Sequence, residues 1–518
     1  MTTNHLDASR FVQDQQFNAD IVIIGSGAGG GIAAEQLALA GFKVMLLEEG
    51  AYYTRDDFMM QERWAYPQLY QEGAARKSRD QAIGILQGRT VGGSTTVNWT
   101  TSIRTPPPTL DYWQREFGLN FSGETDLTPY FVKAEQRLNI HPWPVPPNAN
   151  NAKLQQGCQK LGWQYTVINR NVNGCANLGY CGMGCPINAK QSMLVSSIPA
   201  AMALGATLIS RISVRQLQWQ GDTVTGLEAV PVDQHFQPRN NLRIRITAKH
   251  YIVAAGAIGS PALLLRSKVP DPSGRLGKHT YLHPTVISGA LFDEAINGHS
   301  GAPQSIYSDQ FVWPADNSKP GYKLEVPPLH PVLMATKLTG TAEQHAALMQ
   351  QFNHLQVTIA LLRDGFHPHS QGGTVQLDDA QQPVLDYPIT DYLWQGMREA
   401  LLSMAELQFA AGAKQVLPIH HDTKLYNSWP EAKAAIQQLS MQKLRQTIVS
   451  AHVMGGCNMS ASPAKGVVDQ NGRHHQLQNL SVFDGSILPT SLGANPQLTI
   501  YALVWRNCQQ LIAEVNIE

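Results

Sequence analysis

A glycine-rich turn near the start of the chain is the strongest chemical signal in the sequence. The apolar run IVII predicts a strand, and the pattern Gly25-x-Gly27-x-x-Gly30 follows it and opens a helix. The first glycine permits a tight turn, the second lets backbone approach a pyrophosphate, and the third brings the helix close to the strand. Glu48 ends the next strand, where its carboxylate can accept hydrogen bonds from ribose hydroxyls. These residues predict a dinucleotide site but leave FAD and NAD as alternatives.

Three cysteines form the second group that could do chemistry. Cys175, Cys181 and Cys185 lie in the segment NGCANLGYCGMGCPINAK, and a proline follows the last of them. Thiolates spaced this closely on a loop can converge on one metal centre, although zinc lacks an obvious fourth ligand. In a reducing cytoplasm, structural thiols without redox chemistry are favoured. An iron–sulfur cluster, zinc and a disulfide remain alternatives.

The elements that must position these residues alternate between strand and helix patterns. Residues 21–48 predict a βαβ unit, residues 207–256 predict strands joined by turns, and the proline-dense residues 104–150 predict irregular structure. We therefore predict an α/β (α+β, two-domain) fold, in which a Rossmann-like cofactor domain is interrupted by a substrate domain built on an antiparallel sheet with helices. The predicted cofactor domain comprises residues 18–105, 200–289 and 451–518, and the predicted substrate domain comprises residues 106–199 and 290–450.

Composition narrows the class of protein. A chain of 518 residues is too long for one simple core, so two or three domains are expected. Its 39 Lys+Arg balance 39 Asp+Glu, which does not favour nucleic-acid binding. No secretory signal is visible, and no apolar run reaches the ~20 residues of a membrane-spanning helix. We therefore expect a cytoplasmic protein without a transmembrane segment.

Four further segments decide between the two dinucleotides through their resemblance to a known family. They are GRTVGGSTTVN at residues 88–98, YIVAAGAIGSPALLLRS at 251–267, GRLGKHTYLHP at 274–284, and the run from His452 to Arg506, with HVMGGCNMS and NLSVFDGSILPTSLGANPQLTIYAL. In this order they resemble the glucose–methanol–choline (GMC) flavoprotein oxidoreductases, most nearly the long-chain alcohol oxidase or dehydrogenase and FAD-glucose-dehydrogenase-like branches. Residues 290–450 offer almost no match beyond GTVQL and DYPIT. That is expected, because the family shares its cofactor and not its substrate.

The resemblance implies FAD as the cofactor. Some family members attach FAD through a histidine in the glycine-rich segment, and Val97 stands at that position here, so we expect a non-covalent flavin. The residues assigned to the ADP half are Gly25, Gly27, Gly30 and Glu48, and those placed near the isoalloxazine or the pyrophosphate are Gly92, Gly93, Ser94 and Asn98. The other expected cofactor-binding residues are Ala28, Gly29, Gly88, Arg89, a turn at Asp484 and Gly485, and Asn495 with Pro496 at the start of a helix.

The same resemblance assigns His452 as the catalytic base. Hydride leaves an alcohol carbon readily only when the hydroxyl proton is removed, and an imidazole, which titrates near neutral pH, suits that task. Asn495 occupies the second catalytic position, where an amide can orient the substrate oxygen but cannot act as a second base. Gly456 and Ser460 depart from the threonine and glycine that the family commonly has in this loop. His283, in YLHP, matches a frequent histidine of the family and is interpreted as structural.

The expected function is oxidation of an alcohol to an aldehyde or ketone, by proton abstraction and hydride transfer to flavin N5. A hydrophobic alcohol is favoured, with oxygen or another carrier as electron acceptor. Two alternatives remain. The cysteine spacing is similar to the iron–sulfur loop of GMC-type glucose dehydrogenase catalytic subunits, which implies a sugar dehydrogenase that passes electrons to a partner subunit. Hydroxynitrile lyases share the fold and keep FAD without using its redox chemistry.

Overall fold

The computed structural model describes residues 4–123, 126–315 and 318–515. Its strands are β1 His5–Asp7, β2 Gln15–Ile24, β3 Val44–Leu47, β4 Ile83–Ile85, β5 Ile140–Pro142, β6 Thr166–Val167, β7 Asn169–Asn171, β8 Thr207–Ser210, β9 Ile212–Gln220, β10 Thr223–Pro231, β11 Ile244–Val253, β12 Lys278–Leu282, β13 Thr285–Leu291, β14 Ile306–Phe311, β15 Tyr322–Glu325, β16 Leu355–Leu362, β17 Gly373–Leu377, β18 Pro383–Asp386, β19 Gln415–Pro418, β20 Ile448–Ser450, β21 Val453–Gly455 and β22 Leu480–Val482. Its α-helices are α1 Ala28–Leu39, α2 Glu62–Leu69, α3 Ser94–Val97, α4 Pro107–Phe117, α5 Thr128–Arg137, α6 Ala149–Leu161, α7 Ser197–Ala203, α8 Gly256–Arg266, α9 Pro331–Ala335, α10 Ala342–Gln350, α11 Asp391–Ala410, α12 Trp429–Gln438 and α13 Gln497–Val515. Among these described helices, none has the length and apolar character needed to cross a membrane.

The first sheet contains the βαβ unit that the sequence predicts. Its strand order is β1-β8-β3-β2-β11-β10-β9, with β22 beside β11. The strands β2, β3, β8, β11 and β22 are parallel, whereas β10 pairs antiparallel with both β11 and β9. Residues 21–24 and 44–47 are buried throughout, as expected for parallel strands that are covered on both faces. The carboxyl ends of the parallel strands share one edge, and the glycine-rich turn lies there.

Glycines allow α1 to lie unusually close to the ends of these strands. A Cβ on Gly29 would lie 1.6 Å from the Phe483 carbonyl oxygen, and one on Gly30 would lie 1.9 Å from the Gly25 carbonyl oxygen. Gly25 has a φ of +105°, and a Cβ there would lie 2.3 Å from the Ala254 carbonyl oxygen. The turn therefore packs against segments from the middle and from the C-terminal part of the chain.

Two mainly antiparallel sheets form the other half of the fold, and in the larger one β4 and β20 pair in parallel. The larger has the order β4-β20-β13-β16-β15-β14-β6, with β19 beside β13, and the smaller has the order β18-β17-β12-β21. An apolar core that includes the buried face of α11 packs against the larger sheet. The predicted fold class, a Rossmann-like parallel sheet combined with an antiparallel sheet and helices, is confirmed. The residue boundaries of the two domains stay a prediction.

The proline-dense residues 104–150 are more regular than the sequence predicts. They contain α4 and α5, so the prediction of irregular structure is wrong for much of this segment. Both helices have proline in their first two positions. A proline there costs little, because the N–H groups of the first turn have no partner within the helix.

Two segments pass side by side between the antiparallel sheets. The first contains His283, between β12 and β13, and the second contains His452, between β20 and β21. β12 pairs antiparallel with β21, which places Leu282 opposite Val453, and β13 pairs antiparallel with β20. Strand register therefore brings the two histidines together, although they are far apart along the chain.

Candidate active site

One cavity of about 1050 Å³ is lined both by the glycine-rich turn and by the His452 segment. This volume is just above the ~300–1,000 Å³ that is usual for ligand sites. Most of the sequence-predicted site residues line it: Gly25, Gly27, Ala28, Gly29, Glu48, Gly88, Arg89, Gly93, Ser94, Asn98, His452, Asp484, Gly485, Asn495 and Pro496. Gly30 and Gly92 do not line the cavity, and their contacts are with the neighbouring backbone and side chains.

The turn between β2 and α1 has the properties of an anion site. Gly27 is the N-cap of α1, and apart from its own neighbours along the chain no described residue has an atom within 4 Å of the position that its Cβ would occupy. The backbone is therefore open to the cavity at this point. The free N–H groups of the first helical turn and the helix dipole favour a negatively charged group there, so a pyrophosphate fits.

Glu48 is buried at the end of β3 and faces the same turn. Its Oε2 accepts hydrogen bonds from the Ser26 backbone N–H at 3.1 Å and the Ser26 hydroxyl at 2.5 Å, and its Oε1 accepts one from the Gly50 N–H at 2.8 Å. Burial raises the pKa of this carboxyl, and the hydrogen bonds oppose that shift. Since a carboxylate oxygen has two lone pairs, Oε1 retains one that can accept from a ribose hydroxyl.

The segment at residues 88–98 packs directly on the dinucleotide turn. The Gly92 N–H donates to the Ser26 hydroxyl at 3.0 Å, and a Cβ on Gly93 would lie 2.8 Å from Gly27 Cα. A larger residue at position 93 would push the two glycine-rich segments apart. The sequence predicts that both contact one cofactor, and the structure brings them together on the cavity wall.

Two charged residues, Arg89 and Asp484, also line the cavity. The Arg89 guanidinium lies 4.0 Å from the centre of the Phe236 ring, and its Nε is buried without a hydrogen-bond partner among the described residues. A buried donor of this kind is a position where a bound ligand can supply the acceptor. Asp484 accepts hydrogen bonds from the Gly256 N–H at 2.8 Å and from the Ser260 hydroxyl, which ties the C-terminal turn to α8.

His452 and Asn495 meet on the wall of the same cavity. The Asn495 Nδ2 lies 3.4 Å from His452 Nε2 and 3.3 Å from Glu325 Oε2. Both distances are long for hydrogen bonds, as is common at catalytic groups before a substrate binds. The Asn495 Oδ1 is buried, with no hydrogen-bond partner in the part of the chain that the structure describes.

Burial controls the charge of this group of side chains. It lowers the pKa of His452 to about 4, with a smaller contribution from the Lys323 ammonium, so the imidazole is neutral at physiological pH. It raises the pKa of Glu325 to about 7. Lys323 lies on the same strand as Glu325 and forms an ion pair with Asp309. A neutral imidazole is the form that can accept a proton.

His283 lies against His452 but does not line the cavity. The two Nδ1 atoms are 2.9 Å apart and the rings are nearly perpendicular, at 83°. His283 is only 2% exposed. Burial, with contributions from the neighbouring His452 and Lys323, lowers its pKa well below the ordinary value, so it too is neutral.

Comparison with known proteins identifies the family. Residues 66–285 and 368–503 each match a family model described as GMC oxidoreductase. The chain is 30% identical over 501 residues to an uncharacterised GMC-type oxidoreductase of Mycobacterium tuberculosis. The alignment covers 96% of this chain and 76% of that protein. The chain belongs to the GMC oxidoreductase family. The resemblance read from the sequence motifs is therefore confirmed, and the protein is an FAD-dependent alcohol oxidoreductase.

Other relatives of this GMC oxidoreductase agree. It is 28% identical over 511 residues to a long-chain-alcohol oxidase of Arabidopsis thaliana, covering 95% of this chain and 68% of that protein. The solved structure of pyridoxine 4-oxidase from Mesorbium loti has a TM-score of 0.70 at 20% identity, over 95% of this chain and 99% of that one. A formate oxidase variant of Aspergillus oryzae has a TM-score of 0.72 at 15% identity, over 98% of this chain and 100% of that one. At these identities the two structures show a shared fold.

The cysteine-rich loop of this GMC oxidoreductase packs beside the glycine-rich segment. Its three thiols, those of Cys175, Cys181 and Cys185, are free and partly exposed. The Lys190 Nζ donates to the carbonyl oxygens of Cys181 at 2.8 Å and of Asn98 at 3.0 Å. Within the described ranges, no group of three His, Cys, Asp or Glu side chains could hold a metal ion. The structure therefore gives no support to an iron–sulfur or zinc centre.

Glu325 and Gln304 belong to the site but were not predicted from the sequence. Glu325 accepts a hydrogen bond from Gln304 Nε2, and the Thr101 hydroxyl donates to Gln304 Oε1 at 2.6 Å. A signal for Glu325 was present in the segment YKLEV, where two charged residues alternate with apolar ones in a strand. All four residues of β15 are buried, and a buried charge is costly unless it has a partner, so such a pattern indicates a polar network inside the protein.

Proposed function

We propose that this protein oxidises a hydrophobic alcohol to an aldehyde or ketone in the part of the cavity where His452 and Asn495 meet. One observation carries the proposal. A neutral imidazole and an amide with unused hydrogen-bonding capacity lie on the wall of the same cavity as the open glycine turn and Glu48. The cavity therefore provides both a proton acceptor and a dinucleotide cradle.

The proposed role of His452 is to take the hydroxyl proton of the alcohol at Nε2. That atom is the one on the cavity side, because Nδ1 is occupied by the contact with His283. A positioned base contributes about 10²–10⁴-fold to a rate. FAD, when bound, supplies the acceptor for the hydride that leaves the alcohol carbon.

The proposed role of Asn495 is to hold the substrate oxygen. Its Nδ2 makes only long contacts with His452 and Glu325, so an alcohol oxygen placed between the amide and the imidazole can accept a hydrogen bond from it. A fixed donor at this position stabilises negative charge as it develops on the oxygen. Asn495 cannot serve as a second base, since its amide does not accept a proton in this pH range.

The part of the cavity near His452 supports a hydrophobic substrate. Leu361 of β16 pairs with Thr285, and Thr285 pairs with Val449, three residues before His452. These positions adjoin an apolar cluster on the larger antiparallel sheet. Four apolar residues of this cluster also line the cavity: Trp99, Ile359, Leu361 and Val449. The name of the Arabidopsis relative, a long-chain-alcohol oxidase, supports the same substrate class and oxygen as the electron acceptor.

Chain length of the substrate tests this proposal. Straight-chain primary alcohols of increasing length are mixed anaerobically with the flavin-loaded protein, and the flavin absorbance is followed in a stopped-flow instrument. Each methylene that enters the apolar part of the cavity contributes about 0.8 kcal/mol, so we expect up to about a fourfold gain in apparent affinity per carbon. Rapid reoxidation by oxygen, compared with artificial acceptors, would identify an oxidase.

Three outcomes would contradict the proposal. Bleaching by glucose but by no simple alcohol would indicate a sugar dehydrogenase. Cleavage of a hydroxynitrile while the flavin stays oxidised would indicate a lyase. An affinity that does not change with chain length would mean that the apolar side chains on the cavity wall do not bind the alkyl chain of the substrate.

A further inference from the structure

The contact between His283 and His452 restricts where protons can sit. Two imidazole Nδ1 atoms at 2.9 Å can form a hydrogen bond only if one of them carries a proton and the other does not. Burial keeps both rings neutral, so each has one protonated nitrogen. Two arrangements satisfy the contact, and in only one of them is the cavity-side Nε2 of His452 free to accept a proton.

The Asn495 amide selects between the two arrangements. Its Nδ2 faces both Glu325 Oε2 and His452 Nε2. Glu325 Oε2 is an acceptor here, since the amide of Gln304 also donates to it, and this fixes the donor end of the Asn495 amide. An amide N–H can be satisfied by His452 Nε2 only if that nitrogen is unprotonated. The proton of His452 is then on Nδ1, and it is donated to His283.

We propose that His283 is a positioning residue that accepts the Nδ1–H of His452 and thereby holds the base in the tautomer whose Nε2 faces the substrate. This inference rests on the proposed function of His452 and deepens it. When the alcohol proton moves to Nε2, His452 becomes an imidazolium that keeps its Nδ1–H on His283. His283 stays neutral throughout, with its own proton on Nε2, which is buried without a hydrogen-bond partner among the described residues.

A neutral imidazole that accepts the Nδ1–H of His452 affects the pKa of His452 differently from a carboxylate. In many enzymes a carboxylate orients the catalytic histidine and stabilises its charged form. Here the charged and titratable groups near the pair are Lys323, which is paired with Asp309, and Glu325 on the same strand. His283 therefore fixes the tautomer of His452 without raising its pKa, which stays at about 4. The base is then ready at every pH above that value.

Three substitutions of His283 separate this role from simple packing. His283→Asn places an amide oxygen at the same number of bonds from Cα as Nδ1, so it retains an acceptor. His283→Leu has a similar volume and no acceptor. We expect flavin reduction within about threefold of the natural protein for the asparagine variant, and a loss of roughly 10- to 100-fold for the leucine variant, because a wrong tautomer removes the base.

The third substitution, His283→Asp, moves the pH profile. A carboxylate within ~4–6 Å favours the imidazolium and raises a histidine pKa by about 1–3 units. In the natural protein, protonation of His452 is expected to slow reduction as the pH falls toward about 4. In the aspartate variant we expect this acid limb at a pH higher by at least about one unit. Glu325, with a pKa of about 7, adds a separate inflection to the pH profile. That inflection is identified because it disappears in Glu325→Gln.

A spectroscopic measurement on the unsubstituted protein completes the test. The protein is labelled with ¹⁵N-histidine and its imidazole nitrogens are observed by NMR. The His452 resonances are those that disappear in His452→Gln. We expect them to show the Nδ1–H tautomer. An Nε2–H tautomer would overturn the inference, even if every His283 variant failed to fold. Equal losses in the asparagine and leucine variants, or an unmoved acid limb in the aspartate variant, would also overturn it. If instead His452→Ala reduces the flavin normally, the proposed function itself fails.

Discussion

His452→Ala is expected to bind FAD and to reduce it about 10²–10⁴-fold more slowly than the natural protein. The imidazole, which we propose as the base, lines the same cavity as Glu48 and the glycine turn, which would hold the ADP half. Removing the ring therefore leaves the cradle intact and takes away only the proton acceptor. The measurement is the limiting rate of anaerobic flavin reduction at saturating alcohol, with flavin content determined from the same sample.

A matched control removes another buried histidine. His250 is 7% exposed, bonds to the Ser481 hydroxyl at 2.9 Å and does not line the cavity. His250→Ala loses the same side chain from the interior and is expected to reduce flavin at close to the natural rate. A similar loss in both variants would mean that packing, and not proton transfer, explains the effect. Near-natural reduction by His452→Ala would remove this residue from the mechanism.

Glu48→Arg is expected to purify without FAD. The carboxylate accepts three hydrogen bonds, from the N–H and the hydroxyl of Ser26 and from the N–H of Gly50. A guanidinium has no acceptor, so these three donors would lose their partner. It would also be a buried cation without a counter-charge. Glu48→Gln keeps the shape but loses the charge, and we expect it to weaken FAD binding by roughly 10- to 100-fold, since a hydrogen bond to a charged group contributes ~1.5–3 kcal/mol.

Occupancy is measured by heating the pure protein and quantifying the flavin that appears in the supernatant. This readout also tests the proposal of a non-covalent flavin, which rests on Val97 at the position of the attachment residue. Flavin that stays with the precipitate would contradict it. The control is Glu228→Arg, the same charge change on β10 of the same sheet but away from the cavity. Full occupancy in Glu48→Arg would refute the assignment of Glu48.

Local patterns explain what the sequence could predict. The turn at Gly25 and Gly27 joins a strand to the helix that follows it directly. The spacing of the glycines is therefore sufficient to predict the turn. The chemistry of Glu48 follows from its place at the end of the next strand. His452 and Asn495 became candidates through a family pattern, which records a contact between distant segments that spacing alone does not reveal.

The features that the sequence did not predict depend on register between distant strands. His283 reaches His452 because β12 pairs with β21, and Glu325 reaches Asn495 because β15 lies in the larger sheet. No local rule specifies either pairing. For the cysteine-rich loop, spacing left a metal centre open as an alternative to structural thiols, and the described residues give that alternative no support.

The most direct test of the central claim is the position of the isoalloxazine ring in a crystal structure of the flavin-loaded protein. We expect FAD to occupy the cavity with its ADP half at Glu48 and the reactive face of its ring toward His452 Nε2 and Asn495. A flavin bound in the reverse direction, or a ring separated from His452 by intervening side chains, would contradict it.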